Sequence, residues 1–131
     1  MPEKIIEQLE ICLDYLKRIK HIQNLIESES RQEAEIRENI EYARQNAPED
    51  VKEFQSYLDD LPNIKQRNRN TLYSLYRSPG HRLIQKLLPE NLACEDAIEE
   101  LISILLMGEA STLEEAASVL RQQKTALTDE G

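Results

Sequence analysis

The sequence has few of the residues that make tight turns, disulfides or aromatic cores. Its 131 residues include three glycines, five prolines, two cysteines, one phenylalanine and no tryptophan. So little turn chemistry argues against a sheet-rich fold of many short strands. Cys12 and Cys94 are too few for a disulfide framework, and we expect both to be small buried thiols in a reducing compartment. The core must be built from aliphatic side chains.

Long apolar runs are missing as well. The most apolar stretch, residues 97–107, is interrupted by Glu99, Glu100 and Ser103. It falls short of the roughly 20 apolar residues that a membrane span needs. The N-terminal residues are amphipathic from the start and show no apolar signal region. We therefore expect a cytoplasmic protein with no membrane partner.

Acidic residues dominate what is present. There are 25 acidic and 16 basic side chains, which gives a net charge of −9. A chain of this length fits one domain with a sizeable core. We predict an all-α fold, a helical bundle of four to six helices, as a single domain over residues 1–124. Residues 125–131 are predicted to form a disordered tail.

The N-terminal segment carries the clearest periodic pattern. Its apolar residues are separated by 4, 3, 4 and 3 positions, which is typical of a coiled-coil seam. The five residues of this seam are Ile5, Leu9, Cys12, Leu16 and Ile19. We predict that they mediate self-association, which makes a homodimer the expected oligomeric state.

Residues 27–33 contain no apolar side chain, yet they also contain no glycine or proline. The apolar spacing resumes at Ile36, Ile40, Ala43 and Ala47. We therefore predict one helix over residues 3–46, about 65 Å long at 1.5 Å per residue. The alternative is a hairpin turning near residues 28–30, where a serine could cap a second helix.

Prolines and glycines mark the later helices. Pro48 ends the first helix, and a second helix is predicted with Glu49 and Asp50 in its first turn and Pro62-Asn63 at its end. Ser78-Pro79-Gly80 is a turn signal, followed by a short helix that Pro89 closes. A largely apolar helix over residues 95–107 is predicted at the centre of the bundle.

The C-terminal region begins with a helix stop and a helix start. Gly108 is placed as the glycine that follows a helix C-terminus. Ser111 and Glu114 match a capping box, with the serine as N-cap of the last helix.

The sequence Met-Gly-Glu-Ala-Ser-Thr-Leu-Glu-Glu-Ala at positions 107–116 resembles a tail found in small uncharacterised bacterial proteins. In those proteins an apolar helix is followed by Gly-Arg-Ala-Asp-Thr-Leu/Ile-Lys-Glu-Ala and a short last helix. Here Glu109, Ser111 and Glu114 depart from that pattern, and the resemblance covers about thirty residues. It implies a helical hairpin and a bacterial or phage origin, and it carries no activity.

Residues able to carry chemistry are sparse. His21 and His81 lie in different segments, and Cys12 and His21 would face different sides of one helix. There is no Glu-x-x-His pair of the kind that binds two metal ions in helical bundles. No Gly-rich loop is present to hold phosphate. We expect no catalytic residue, no metal and no cofactor, and therefore no enzyme activity.

One segment reverses the charge of the chain. Residues 65–86 contain six basic residues and no acidic one, which leaves −15 for the rest (−9 less +6). The candidate contact residues in this segment are Lys65, Arg67, Arg69, Tyr73, Tyr76, Arg77 and Arg82. Arginine beside exposed tyrosine is typical of nucleic-acid contacts. The interpretation we favour is docking onto the acidic helices of the same chain or of a second copy. An acidic protein partner is a third interpretation.

These observations predict a non-enzymatic protein–protein interaction module, a small adaptor or regulator whose protein partner is unknown. The first alternative is a nucleic-acid-associated accessory factor that uses the basic, tyrosine-containing segment. The second is an acidic phage or mobile-element inhibitor whose carboxylate faces imitate nucleic acid.

Overall fold

The computed structural model describes residues 2–130, with side chains over residues 2–124. The described chain is all-α, as predicted. Its helices are α1 (Glu3–Asn46), α2 (Val51–Tyr76), α3 (Pro79–Leu87), α4 (Glu95–Leu106) and α5 (Leu113–Glu130). Short 3-10 helices at Pro48–Asp50 and Glu90–Leu92 complete the described structure. No strand occurs within residues 2–130.

The prediction of one long N-terminal helix is confirmed. α1 continues through residues 27–33 without a break, so the alternative hairpin near residues 28–30 does not form. The Ser28 hydroxyl donates a hydrogen bond to the Leu25 carbonyl inside the helix and caps nothing. Good helix formers and the absence of glycine and proline account for this continuity.

The prediction that Pro62 ends the second helix is wrong. α2 runs through Pro62 as far as Tyr76. A proline inside a helix removes one backbone hydrogen bond and costs about 3 kcal/mol. Buried or half-buried positions nevertheless keep their 3,4 spacing on both sides of Pro62, and Leu61 beside it is only 4% exposed. Burial of this continuous face outweighs the local cost of the proline.

The start of α5 also differs from the prediction by one residue. The hydroxyl of Thr112, and not that of Ser111, accepts a hydrogen bond from the Glu115 amide at 3.2 Å. The Glu115 carboxylate in turn accepts a hydrogen bond from the Ser111 amide at 2.9 Å. The helix begins at Leu113, which places Thr112 at the N-cap and leaves Glu114 outside the capping interaction.

Gly108 ends α4 as predicted. Its φ of +75° lies in the left-handed region that favours glycine. The Gly108 amide donates to the Leu105 carbonyl, and the Glu109 amide donates to the Ile104 carbonyl. This pair of bonds is the Schellman motif, which satisfies carbonyl groups at a helix C-terminus.

The chain divides into two compact units. The hairpin unit is Ile19–Tyr76, and the terminal unit combines Met1–Arg18 with Arg77–Gly131. The prediction of a single domain over residues 1–124 stays a prediction. The predicted tail over residues 125–131 lies outside the residues whose side chains the structure describes.

The hairpin unit consists of the later part of α1 packed antiparallel against α2. Ion pairs join Glu29 to Arg69 and Glu33 to Lys65. Residue numbers therefore increase along α1 as the numbers of their partners decrease along α2, as expected for antiparallel helices. The fully apolar part of the interior contains Ile22, Ile40, Ala43 and Leu61, each at most 5% exposed.

The terminal unit contains the larger aliphatic core. Its innermost side chains come from α1, α4 and α5, and all have 0% exposure: Leu9, Cys12, Ile98, Leu101 and Leu120. α4 and α5 pack against each other. None of the helices within the described chain has the length and apolar character of a membrane span.

Candidate functional site

The interior of the hairpin unit has a polar layer at its middle. Glu29 lies on the α1 face that packs against α2 and is only 4% exposed. Its Oε1 accepts a hydrogen bond from the Asn68 amide at 3.3 Å, and its Oε2 lies 3.6 Å from Nη2 of Arg69. One turn further along α1, Glu33 accepts a hydrogen bond from Lys65 Nζ at 3.4 Å. The apolar-free stretch of α1 therefore packs against the basic stretch of α2.

The cations around Glu33 stabilise the charged form of its carboxyl group. The hydrogen bond from Arg37 lowers the pKa of the Glu33 carboxyl below its usual value, and the Lys65 ammonium lowers it further. Glu33 is therefore a carboxylate at neutral pH, held between one cation on its own helix and one on α2.

The residues of the basic segment have different surroundings. Lys65 and Arg69 contact acidic residues of α1, while Arg67 and Tyr73 are exposed on α2. The remaining candidates divide between the units, with Tyr76 in the hairpin unit and with Arg77 and Arg82 in the terminal unit. Contact of this segment with nucleic acid or with an acidic partner stays a prediction. Two cations of the segment, Lys65 and Arg69, already form ion pairs within the chain.

Part of the predicted self-association seam is buried in the core of the terminal unit. Leu9 and Cys12 are fully buried within the single chain. Ile5 and Leu16 of the same unit are half-buried, and so is Ile19, the first residue of the hairpin unit. A dimer through this seam stays a prediction. It would have to use Ile5, Leu16 and Ile19, because Leu9 and Cys12 present no surface to a partner.

An open groove of about 730 Å³ lies in the terminal unit. It is bounded by the start of α1, the end of α3 with the segment that follows it, and the first turns of α5. Most of its lining is apolar: Ile5, Leu87, Leu88, Pro89, Leu92, Leu113 and Ala117. The polar part of the lining consists of Lys86, Asn91, Thr112, Glu114 and Arg121. We call this feature the terminal groove.

Local sequence explains how the terminal groove is built. Pro89 ends α3 and turns the chain into the 3-10 helix, which places Leu88 and Leu92 on the floor at 6% and 5% exposure. Ile5, Leu87 and Leu113 are half-buried and form apolar walls. Ile5 was predicted as an interaction residue from its spacing. The other lining residues were not, since no periodic pattern brings four separate segments together.

Tyr15 and His81 form a polar contact between α1 and α3 in the terminal unit. Tyr15 Oη lies 2.7 Å from Nδ1 of His81, and the two rings meet edge to face. Gly80 allows this approach, because a Cβ at that position would lie 2.7 Å from Cβ of Tyr15. The contact joins the start of α3 to α1 and gives His81 a structural role.

The two cysteines have different surroundings. Cys12 is buried, and burial raises the pKa of its thiol. Cys94 is exposed, so the expectation that both thiols are buried is wrong for Cys94. Cys94 precedes the first residue of α4, a position at which the helix start leaves its side chain in solvent. Among the described residues, no group of three His, Cys, Asp or Glu side chains is placed to hold a metal ion.

Comparison with protein-family models, with curated proteins and with solved structures gave no match to this chain. The resemblance of positions 107–116 to a tail of small bacterial proteins stays a prediction. The structure shows the local features behind it, a glycine helix stop at Gly108 and a capped helix start at Thr112.

Proposed function

We propose that the protein is a non-enzymatic protein–protein interaction module that binds a partner in the terminal groove. The observation that carries this proposal is an open groove of about 730 Å³ with a mostly apolar lining supplied by α1, α3, the segment after α3 and α5. Grooves of this kind receive the apolar side chains of an amphipathic helix, which supply most of the affinity.

The lining combines buried leucines with leucines that still expose apolar surface, as binding of such a partner requires. Leu88 and Leu92 form a fixed floor, while Leu87 and Leu113 still expose apolar surface. Burying one leucine side chain of a partner against this surface is worth about 1.5–3 kcal/mol. Two or three such anchors supply about 3–9 kcal/mol before the cost of association, so micromolar binding, which needs about 8 kcal/mol net, also requires contacts along the rest of the partner helix.

Charged residues at the rim would orient the partner. Lys86 and Arg121 contribute positive charge and Glu114 contributes negative charge to the groove lining. Rim charges affect the rate and specificity of binding more than its strength. A partner helix with an acidic residue beside its apolar anchors complements the two cations.

The proposal includes the other properties expected from the sequence. A small cytoplasmic adaptor or regulator needs a binding surface and no catalytic centre. Self-association is part of the same proposal, because Ile5 belongs both to the predicted seam and to the lining of the terminal groove. A second copy of the chain is therefore one partner to test.

A display library of random 16-residue peptides, selected on the full chain, tests this function. We expect enriched peptides with apolar residues at helical spacing. Their binding should be weakened at least about tenfold by Leu113→Lys, and only about two- to threefold by Lys86→Glu, which changes a rim charge and leaves the apolar lining intact.

Leu106→Lys is the matched control, because Leu106 is 67% exposed and lies outside the groove lining. It should leave binding unchanged. Circular dichroism melts establish that each variant is folded. Enriched peptides that bind all three variants equally would refute the terminal groove as the site.

A further inference from the structure

The hairpin unit has an interaction surface of its own, separate from the terminal groove. A groove of about 250 Å³ runs between α1 and α2 on one side of the hairpin. Its apolar residues include Ile36 and Leu61, together with Tyr57 and Ile64, which remain 49% and 38% exposed. We call this feature the hairpin groove.

The hairpin groove is acidic on both of its walls. Glu35 lies on the α1 wall and Asp60 on the α2 wall, and both are exposed. Its other polar residues are Gln32 and Asn39, and neither lysine nor arginine is among its described lining residues. An apolar strip between two acidic residues defines the chemistry of a complementary ligand.

Tyr57 contributes to this chemistry as a neutral group. Its hydroxyl donates a hydrogen bond to Glu53 at 2.8 Å, and this bond together with the carboxylate charge raises the pKa of Tyr57. The ring therefore presents an uncharged aromatic surface to the groove. The hydrogen bond to the preceding turn of α2 restricts its orientation, which lowers the entropic cost of contact.

We propose that the hairpin groove binds a basic amphipathic helix of another protein. A third helix can pack into the groove between two neighbouring helices at an interaxial distance of about 8–10 Å. Apolar residues at i, i+3 and i+4 would contact Ile36 and Ile64. Lysine or arginine residues on the two sides of that strip would face Glu35 on α1 and Asp60 on α2.

Charge argues against a second copy of this chain as the occupant. The chain carries −9 overall, and two of the cations in its basic segment, Lys65 and Arg69, contact acidic residues of α1 in the same chain. A second copy would bring mainly negative charge to Glu35 and Asp60, and like charges at close range oppose docking.

The test uses a synthetic 18-residue helical peptide with leucine on one face and lysine on the other, titrated into the full chain and followed by fluorescence anisotropy. We expect Glu35→Gln/Asp60→Asn to weaken binding about fivefold. Ile64→Ser should weaken it about tenfold through lost apolar contact. A peptide of the same composition in scrambled order should bind much less tightly.

The matched control is Glu27→Gln/Glu38→Gln. It removes the same number of charges from exposed α1 positions that are not part of the groove lining. We expect this variant to bind the peptide as the parent does. Equal weakening by the two charge-removing pairs would mean that net charge alone attracts the peptide, which overturns the proposal.

Two further outcomes also overturn it. Unchanged binding by Ile64→Ser would show that the apolar strip is not used. A dimer detected by light scattering without peptide, and lost in Ile64→Ser, would identify a second copy as the occupant. Each variant is melted by circular dichroism before titration, which establishes that it is folded.

Discussion

The Glu29 carboxylate lies 3.6 Å from the Arg69 guanidinium across the two helices of the hairpin unit, with the Glu29 side chain only 5% exposed and that of Arg69 46% exposed. A buried carboxylate needs hydrogen-bonding partners, because an unpaired buried charge is strongly unfavourable. The Asn68 side-chain amide supplies a hydrogen bond, and the Arg69 guanidinium supplies the opposite charge in an ion pair. The pair therefore favours the packing in which this part of α2 lies opposite the polar stretch of α1.

Arg69→Ala should destabilise the hairpin unit by about 1–3 kcal/mol, since it leaves Glu29 buried with only the Asn68 amide. Glu29→Leu should cost less than about 1 kcal/mol, because it replaces the buried charge with an apolar side chain and frees Arg69 to reach solvent. Urea denaturation of the two variants gives the comparison. Equal losses of unfolding free energy would show that the pair acts only through its mutual attraction.

The elements of this layer were visible in the sequence, but their pairing was not. The apolar-free stretch at 27–33 and the basic run beginning at Lys65 were both recognised from composition. The spacing of residues identifies those that share one face of a helix. It does not identify the residues of a second helix that pack against that face. The match between Glu29 and Arg69 follows from the length of the two helices and the position of the turn at Pro48–Asp50. The prediction from sequence also ended α2 too early. It considered only the local tendency of proline to stop a helix and not the burial of Leu61 and its neighbours, which stabilises the longer helix.

The candidate site was predictable only in part. Ile5 came from the coiled-coil spacing and does line the terminal groove. The end of α3 before Pro89 places Leu88 there, the 3-10 helix after Pro89 places Leu92, and the start of α5 places Leu113. A groove formed by four segments depends on how they pack, which a single sequence does not display.

The stability contributed by Glu33 should depend on pH. Its folded pKa lies below the unfolded value of about 4.5, so this stabilisation is present above pH 4.5 and is lost as pH falls through the folded pKa. Unfolding free energies of the parent and of Glu33→Gln, measured from pH 7 to pH 3, should converge below pH 4.5. A constant difference over that range would contradict the role of Arg37 and Lys65 as partners of the carboxylate.

Gly80→Ala should destabilise the terminal unit by about 1–3 kcal/mol. The added Cβ would lie 2.7 Å from Cβ of Tyr15, which is fixed to the backbone of α1 and cannot rotate away. A thermal melt measures the loss, and Tyr15→Ala in the same background should not restore stability, because a Cβ remains at position 15. Gly80→Ala with an unchanged melting temperature would contradict the close approach of α3 to α1.

The two thiols should react at very different rates. Thiol reagents attack the thiolate, and Cys12 is buried with a raised pKa whereas Cys94 is exposed. With Ellman's reagent at pH 8 we expect one fast equivalent, lost in Cys94→Ser, and one slow equivalent, lost in Cys12→Ser. If both thiols reacted at the same rate, the terminal unit would open readily. The N-terminal seam would then be free to self-associate.

Backbone amide shifts in an NMR titration with a library-selected peptide test the central claim of binding in the terminal groove most directly. The account predicts the largest shifts at residues 86–92 and 112–117 and around Ile5, with Leu113→Lys abolishing them at the same peptide concentration. Shifts confined to the hairpin unit, or shifts that persist in Leu113→Lys, would contradict the proposal that the terminal groove is the binding surface.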